Sequence, residues 1–248
     1  MSPPILAIEG LSKSFGGVRA SDQISFEVME HECHALIGPN GAGKTTLIAL
    51  LSGLLAPDSG TVRFHGRDIT GLPSHKRSLI GIARSFQITT VLLSMSVLDN
   101  VALAVQARDG HSYRFWAPAR ADRSLREPAM AVLEQAGLAK RAHETAAALS
   151  HGERRQLEIA MALALQADLL LLDEPTAGMG PEEAGLVIET LRRLKENKAM
   201  LLIEHDMDAV FALADRISVL VYGRIIATGT PEEIRADEAV RRAYLGED

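Results

Sequence analysis

Apolar and polar positions change their pattern several times along the chain. The first ~35 residues carry short β-rich runs, "ILAIEG" from Ile5 and "ISFEVME" from Ile24, separated by the turn-like "FGG"; polar breaks interrupt any helical stripe, and an antiparallel region is expected. "CHALIGP" then gives a short apolar strand that runs straight into glycine-rich sequence. Leu47, Leu50, Leu51 and Leu54 follow at helical spacing and mark one face of a helix. Further strands are expected at "TVRFHG", "IARSFQ", "DLLLLDEP", "AMLLIEH" and "RISVLVYG". The "LLLL" and "MLLI" runs are apolar at successive positions, which suits strands buried on both faces of a parallel sheet.

From about residue 90 to 166 helical patterns replace strands, in "SVLDNVALAVQA", "REPAMAVLEQAGL" and "GERRQLEIAMALAL". A helical insertion of approximately 88–166 is expected. It contains one loosely patterned stretch, "RDGHSYRFWAPARADRS", read as an exposed connection. A short helical tail is expected over approximately 230–248, with Pro231 allowed in its first turn.

Composition narrows the class. With 248 residues, 47% hydrophobic and 23% charged, the chain suits one α/β domain with a full core. A net charge of −6 supplies no overall basic field for a nucleic-acid backbone, so nucleic acid is not an expected partner. Cys33 is the single cysteine and cannot form an internal disulfide. No charged-then-apolar leader precedes Ile5, which makes the cytoplasm the expected compartment. The longest apolar stretches, Leu47–Ala56 and Ile159–Leu165, fall short of the ~20 residues that cross a bilayer. Any membrane role must run through a partner.

Candidate chemistry begins with "GPNGAGKTT", residues 38–46, which satisfies G-x-x-x-x-G-K-[ST] with a strand before and a helix after. Gly38, Pro39, Asn40, Gly41, Ala42, Gly43, Lys44, Thr45 and Thr46 are the candidate nucleotide-binding residues. Glycines let backbone N–H groups turn toward phosphate oxygens, the helix N-terminus adds its positive end, and Lys44 adds a full charge. Thr45 is expected to ligate Mg²⁺. In "LLLLDEP" an acidic pair ends a buried strand, where it meets the phosphate loop at the mouth of a parallel sheet. Asp173 is expected to help hold Mg²⁺, and Glu174 to take a proton from an attacking water.

"LSHGERRQLEIA", residues 149–160, resembles the signature of ATP-binding cassette (ABC) ATPases, and lies between the phosphate loop and "LLLLDEP" in that family's order. Ser150 and Glu153 form an S-x-x-E capping box, so a hydroxyl and free backbone donors sit at a positive helix end. The resemblance implies a P-loop core with a mostly parallel sheet, an N-terminal antiparallel β region and a helical subdomain insertion. It also implies that two cassettes pair head to tail, with Ser150 and Gly152 closing on the γ-phosphate of ATP held by the other. By the same resemblance Phe15 stacks on adenine, Gln87 joins core to insertion and approaches the metal and the reaction, and His205 reaches the γ-phosphate as a catalytic group. His151 and Glu153 depart from the family's glycine and glutamine, and Gly180 stands where its Asp is common.

"LEIAMAL", "DEPTAGMGPEE", "LLIEHDMDAVFALADRISVL", "GTPEEI" and "AYLG" together resemble the ATP-binding subunits of importers for branched-chain amino acids and related hydrophobic or amide solutes. The partners so implied are integral-membrane permease subunits, a second ABC ATPase (the same chain or a paralogue) and, indirectly, a periplasmic solute-binding protein. The implied cofactors are ATP and Mg²⁺, and the implied location is the cytoplasmic face of the inner membrane. The alternative is a soluble ABC ATPase of DNA repair or translation, for which a coiled-coil insertion or tandem cassettes are expected. A GTPase or small-molecule kinase leaves "LSHGE" unexplained. "HECH", residues 31–34, is not expected to bind metal, because on a strand His31 and Cys33 face away from His34. Arg154–Arg155, Arg192–Arg193 and Arg241–Arg242 read as solvated helix faces.

Overall fold

The computed structural model describes residues 3–84, 91–109 and 122–240. Gln87, most of the connection after α-helical residue Arg108, and Arg241–Arg242 with the end of the tail lie outside the described residues. The strands are β1 (Leu6–Phe15), β2 (Val18–Val28), β3 (Cys33–Ile37), β4 (Ser59–Phe64), β5 (Arg67–Asp68), β6 (Ile82–Arg84), β7 (Leu169–Asp173), β8 (Ala199–Ile203), β9 (Arg216–Val221) and β10 (Arg224–Gly229). The first helices are α1 (Lys44–Leu51), α2 (Ser74–Leu79), α3 (Val97–Asp109), α4 (Arg123–Gln135) and α5 (His151–Ala164). They are followed by α6 (Pro181–Lys195), α7 (Met207–Leu213), α8 (Pro231–Ala236) and α9 (Glu238–Val240).

The expected antiparallel region is a four-stranded sheet in the order β2-β1-β4-β5. Alternation buries Leu6 and Ile8 of β1 and Ile24, Phe26 and Val28 of β2 on one side. The second sheet runs β10-β9-β3-β8-β7-β6, and only the β9–β10 pair in it is antiparallel. Every residue of β3, β7 and β8 is buried, as expected for strands covered on both faces.

Helix α5 joins two cores. Its Leu157, Ala160 and Ala164 pack with α3 and α4, while Ile159, Ala162 and Leu163 pack against Leu170 and Leu172 of β7 and Val187 and Leu191 of α6. Those two sets are offset around the 3.6-residue period, so one helix carries two apolar stripes. Helix α4 begins earlier than its pattern suggests, because Asp122 accepts the Ser124 N–H as an N-cap; Pro128 lies inside it.

Helix α1 is shorter than expected. It ends at Leu51, and Leu54 lies beyond the cap, exposed. The end is held by the Arg77 guanidinium, buried, which donates to the carbonyls of Leu50 and Leu51 as well as Thr70 and Leu72. Burial pushes Arg77 below the usual arginine range. Among the described residues no helix is long and apolar enough to cross a membrane.

Candidate nucleotide site at the mouth of the parallel sheet

Register sets the site. Ile203 of β8 pairs with Leu36 of β3 on one side and with Asp173 of β7 on the other. The segments that follow these three strands therefore leave the sheet at one level, at its C-terminal edge. They carry the glycine-rich loop, the acidic pair and the histidine read from sequence.

The loop from Gly38 to Gly43 depends on missing side chains at both ends. A Cβ on Gly38 would stand 2.0 Å from the Leu220 carbonyl oxygen, and one on Gly43 would stand 2.1 Å from that of Ala20. Gly43 also has φ 106°, closed to other residues, and caps α1 with no side-chain hydrogen bond. The first amides of α1 are left for an anion. Lys44 is buried, and its Nζ donates to the carbonyls of Gly38 at 2.6 Å and Pro39 at 3.0 Å. Burial pushes its ammonium below the usual lysine range, while the charges of Glu174 and Asp173 pull it back. All three groups thus share one electrostatic site. Asn40, Gly41 and Thr45 are exposed, and Thr46 is half-buried.

Asp173 is buried and pairs with Arg84 at the end of β6, NH2 to Oδ2 3.0 Å. Glu174 has φ 50°, a left-handed conformation that costs a non-glycine residue about 1–3 kcal/mol. Its N–H donates to the Ile203 carbonyl at 2.8 Å, and its Oε1 lies 2.6 Å from Nε2 of His205.

The N-terminus of α5 carries the expected capping box in full. Ser150 Oγ accepts from the Glu153 N–H, and the Glu153 carboxylate accepts from the Ser150 N–H. A Cβ on Gly152 would meet Cβ of Glu183 at 3.0 Å, so close packing on α6 demands the glycine. Among the described residues no hydrogen bond or ion pair joins Ser150 or Gly152 to the phosphate loop of the same chain. Phe15 ends β1 with its ring half in solvent, and Lys13 Nζ stands 5.8 Å from the ring centroid.

Three polar residues at this edge escape a sequence reading. Arg155 is not a solvated face: it donates to the carbonyls of Glu174 at 2.8 Å and Pro175 at 3.3 Å, and to Glu158 at 2.7 Å. Its only sequence signal is the Arg–Glu spacing of three on a helix. Arg84 carries no signal beyond its place before Gln87, and Glu204 none beyond its place before His205. Arg192 and Arg193 are exposed beside Glu189, as expected. In "HECH", His31 lies in a turn with φ 60° ahead of β3 rather than on the strand, which changes the geometric reason given for separating it from His34. Burial pushes the Cys33 thiol up to about 12, which leaves it unreactive.

The chain matches the family model described as ABC transporter over residues 21–177, and that described as branched-chain amino acid ATP-binding cassette transporter over 224–248. It is 41% identical to the high-affinity branched-chain amino acid transport ATP-binding protein LivG of Salmonella typhimurium, and 38% identical to BraF of Pseudomonas aeruginosa, with both chains covered in full each time. Among solved structures, a nucleotide-free ATP-binding cassette from an ABC transporter superposes with a TM-score of 0.87 at 32% identity, over 99% of this chain and 100% of the other. The ADP conformation of the cassette MJ1267 gives 0.88 at 33%, with the same coverage. The chain belongs to the ABC transporter family and is one of its ATP-binding cassettes.

Proposed function

We propose that this chain is the ATP-hydrolysing motor subunit of an ABC importer for branched-chain amino acids or related hydrophobic or amide solutes. The full-length likeness to transport ATP-binding proteins supports this reading over a soluble repair or translation ATPase. Residues 1–248 act as one nucleotide-binding domain, with the helical insertion at approximately 88–166 and the tail at approximately 230–248. The partners are a second cassette, either this chain or a paralogue, permease subunits in the inner membrane, and indirectly a periplasmic solute-binding protein. The cassette works at the cytoplasmic face of that membrane.

The single observation that carries the chemistry is the meeting of Lys44, Asp173, Glu174 and His205 at one sheet edge. Lys44 and the backbone N–H groups from Asn40 to Thr46 hold the β- and γ-phosphates. The Thr45 hydroxyl and Asp173 carboxylate are hard oxygen donors of the kind Mg²⁺ takes, and the ion would neutralise phosphate charge there. Glu174 accepts the proton of the attacking water as the new P–O bond forms and ADP leaves. His205 orients against the γ-phosphate and against Glu174. Phe15 stacks on adenine, Gln87 senses the site from the insertion, and Ser150 and Gly152 close on the nucleotide of the opposite cassette. Closure of the two cassettes then drives the permease.

The test is purification of the chain with its copurifying permease and binding protein in lipid vesicles. ATP hydrolysis stimulated by leucine-loaded binding protein, together with leucine uptake, is the expected result. A complex that hydrolyses ATP but responds to no branched-chain or amide solute would remove the substrate class and leave the motor. A chain that neither binds nor hydrolyses ATP would remove both.

A further inference from the structure

Glu204, the last residue before His205, is a carboxylate buried to 2% exposure, at the end of β8. It is not idle packing. Its Oε1 accepts the N–H of Thr176 at 2.8 Å and also the Thr176 hydroxyl. Its Oε2 accepts the N–H of His205 at 2.9 Å and that of Asp206 at 3.4 Å. One oxygen thus serves the turn that follows Glu174, and the other serves the loop that carries His205. Each oxygen faces donors only, and a carboxylate is the one side-chain group that accepts at both ends without donating.

The same two segments are tied once more by the Glu174 N–H to the Ile203 carbonyl. That bond fixes the backbone of Glu174 on the strand before Glu204. The Glu204 carboxylate then fixes what comes after: Thr176, from which the chain runs through Ala177–Gly180 into α6, and the backbone N–H of His205 itself. Glu183 in the first turn of α6 touches Gly152 at the start of α5. The backbone of His205 is therefore joined through a buried, fully hydrogen-bonded carboxylate to the segment that leads toward the signature helix.

We infer that Glu204 is a positioning residue that locks the His205 loop and the turn after Glu174 into one unit, so that His205 and Glu174 move together. The inference rests on the roles given above to His205 and Glu174. Among the described residues no hydrogen bond or ion pair joins Glu204 to the phosphate loop; it acts through His205 and through the turn after Glu174.

A double-mutant cycle on the full chain tests this, with kcat, KM and equilibrium ATP binding measured separately. Glu204→Gln preserves shape but turns one acceptor into an NH₂ group that faces the donors of one loop. The expected result is a loss in kcat of roughly tenfold to a hundredfold, the size of effect that follows a small misplacement of a reacting group, with ATP affinity unchanged. In a His205→Ala background the same change should cost clearly less than in the wild type, because one of the two groups it positions is gone and only the turn after Glu174 is left to disturb. A wild-type kcat in Glu204→Gln, or losses that multiply in the double variant, overturns the inference while the roles of His205 and Glu174 stand. A His205→Ala chain with wild-type kcat overturns it together with the role of His205. If Glu204→Gln does not fold, Thr176→Val removes one hydroxyl donor only. It should lower kcat several-fold with ATP affinity retained, and an unchanged kcat overturns the inference.

Discussion

His205 Nε2 and Glu174 Oε1 meet at 2.6 Å although they follow different strands, just past the ends of β8 and β7. The contact is possible because Asp173 and Ile203 share a register position and Glu174 turns back through a positive φ. Glu174→Gln keeps that shape and removes the base. Hydrolysis should fall by about 10²–10⁴, the usual contribution of a positioned proton acceptor. Nucleotide affinity should stay, and size-exclusion chromatography should show a dimer in ATP. Substantial remaining hydrolysis would remove Glu174 as the base.

Lys44 tests the binding half of the site. Its ammonium is held inside the loop by the carbonyls of Gly38 and Pro39, at the level where phosphate oxygens would be received. Lys44→Ala removes one charge-assisted contact, about 1.5–3 kcal/mol, or roughly a 10- to 150-fold loss in ATP affinity. Titration calorimetry with ATP measures it, and an unchanged affinity would sink the assignment of the phosphate site.

The loop glycines divide by what surrounds them. Gly38→Ala and Gly43→Ala each push a Cβ to within 2.0 Å or 2.1 Å of a carbonyl oxygen, so the backbone must move; a loss of about 1–3 kcal/mol is expected. Gly41 also has positive φ, 79°, but opens to solvent. Gly41→Ala should cost only the conformational penalty, about 1 kcal/mol. Urea unfolding of the three variants should rank Gly41→Ala mildest, and equal losses at all three would refute the steric account.

The elements were legible wherever one physical rule acted alone. Apolar runs such as Leu169–Leu172 had to be buried strands, and Ser150 with Glu153 had to cap a helix. The phosphate loop was legible because its glycine spacing with Lys44 and Thr45 is a local pattern and Gly41 and Gly43 need positive φ, whereas the carbonyls of Leu220 and Ala20 that crowd Gly38 and Gly43 were not. What stayed hidden depends on contacts between distant segments. Arg155 reads as surface beside Arg154 until α5 is seen against the turn after Glu174. Glu204 reads as a strand-end acid until β8 is placed beside β7, and Leu54 continues a helical stripe that Arg77, far along the chain, helps to end at Leu51.

His34 makes stability depend on pH. Its Nδ1 lies 3.1 Å from the Glu27 carbonyl and must donate, so Nε2 accepts from the Ser218 hydroxyl at 2.8 Å, which in turn accepts from Thr228. Burial, then the charge of Arg216, push His34 from the ordinary 6.5 down to about 3, against the pull of its backbone bond to Glu27. Glu32 lies 3.7 Å from Nδ1 but is itself held by Arg216. Because the folded pKa is depressed, the unfolded chain binds more protons between these values. The contribution to stability is complete above 6.5 and is lost as pH falls toward 3, by up to about 1.4 kcal/mol per unit. Between pH 7 and 5, urea unfolding of the wild type should therefore lose about 2 kcal/mol more than His34→Gln. Parallel losses in the two proteins would show that His34 titrates normally in the folded chain.

Arg155 separates stability from function in one position. Its side chain is 13% exposed and its guanidinium faces the carboxylate of Glu158, whose side chain is 4% exposed. Arg155→Met leaves that carboxylate buried without its cation. Burial already pushes Glu158 above the usual glutamate range, so it takes up a proton instead, and the cost should sit near the low end for a broken buried pair, about 3 kcal/mol. Replacing both partners, Arg155→Met with Glu158→Leu, should restore most of the stability, since no charge is then left inside. It should not restore kcat. The same guanidinium also holds the carbonyls of Glu174 and Pro175, and no apolar side chain can do that. Denaturant unfolding and ATP hydrolysis measured on both variants check the two halves independently. A double variant as active as the wild type would mean that packing alone, without Arg155, fixes α5 against the turn that presents Glu174.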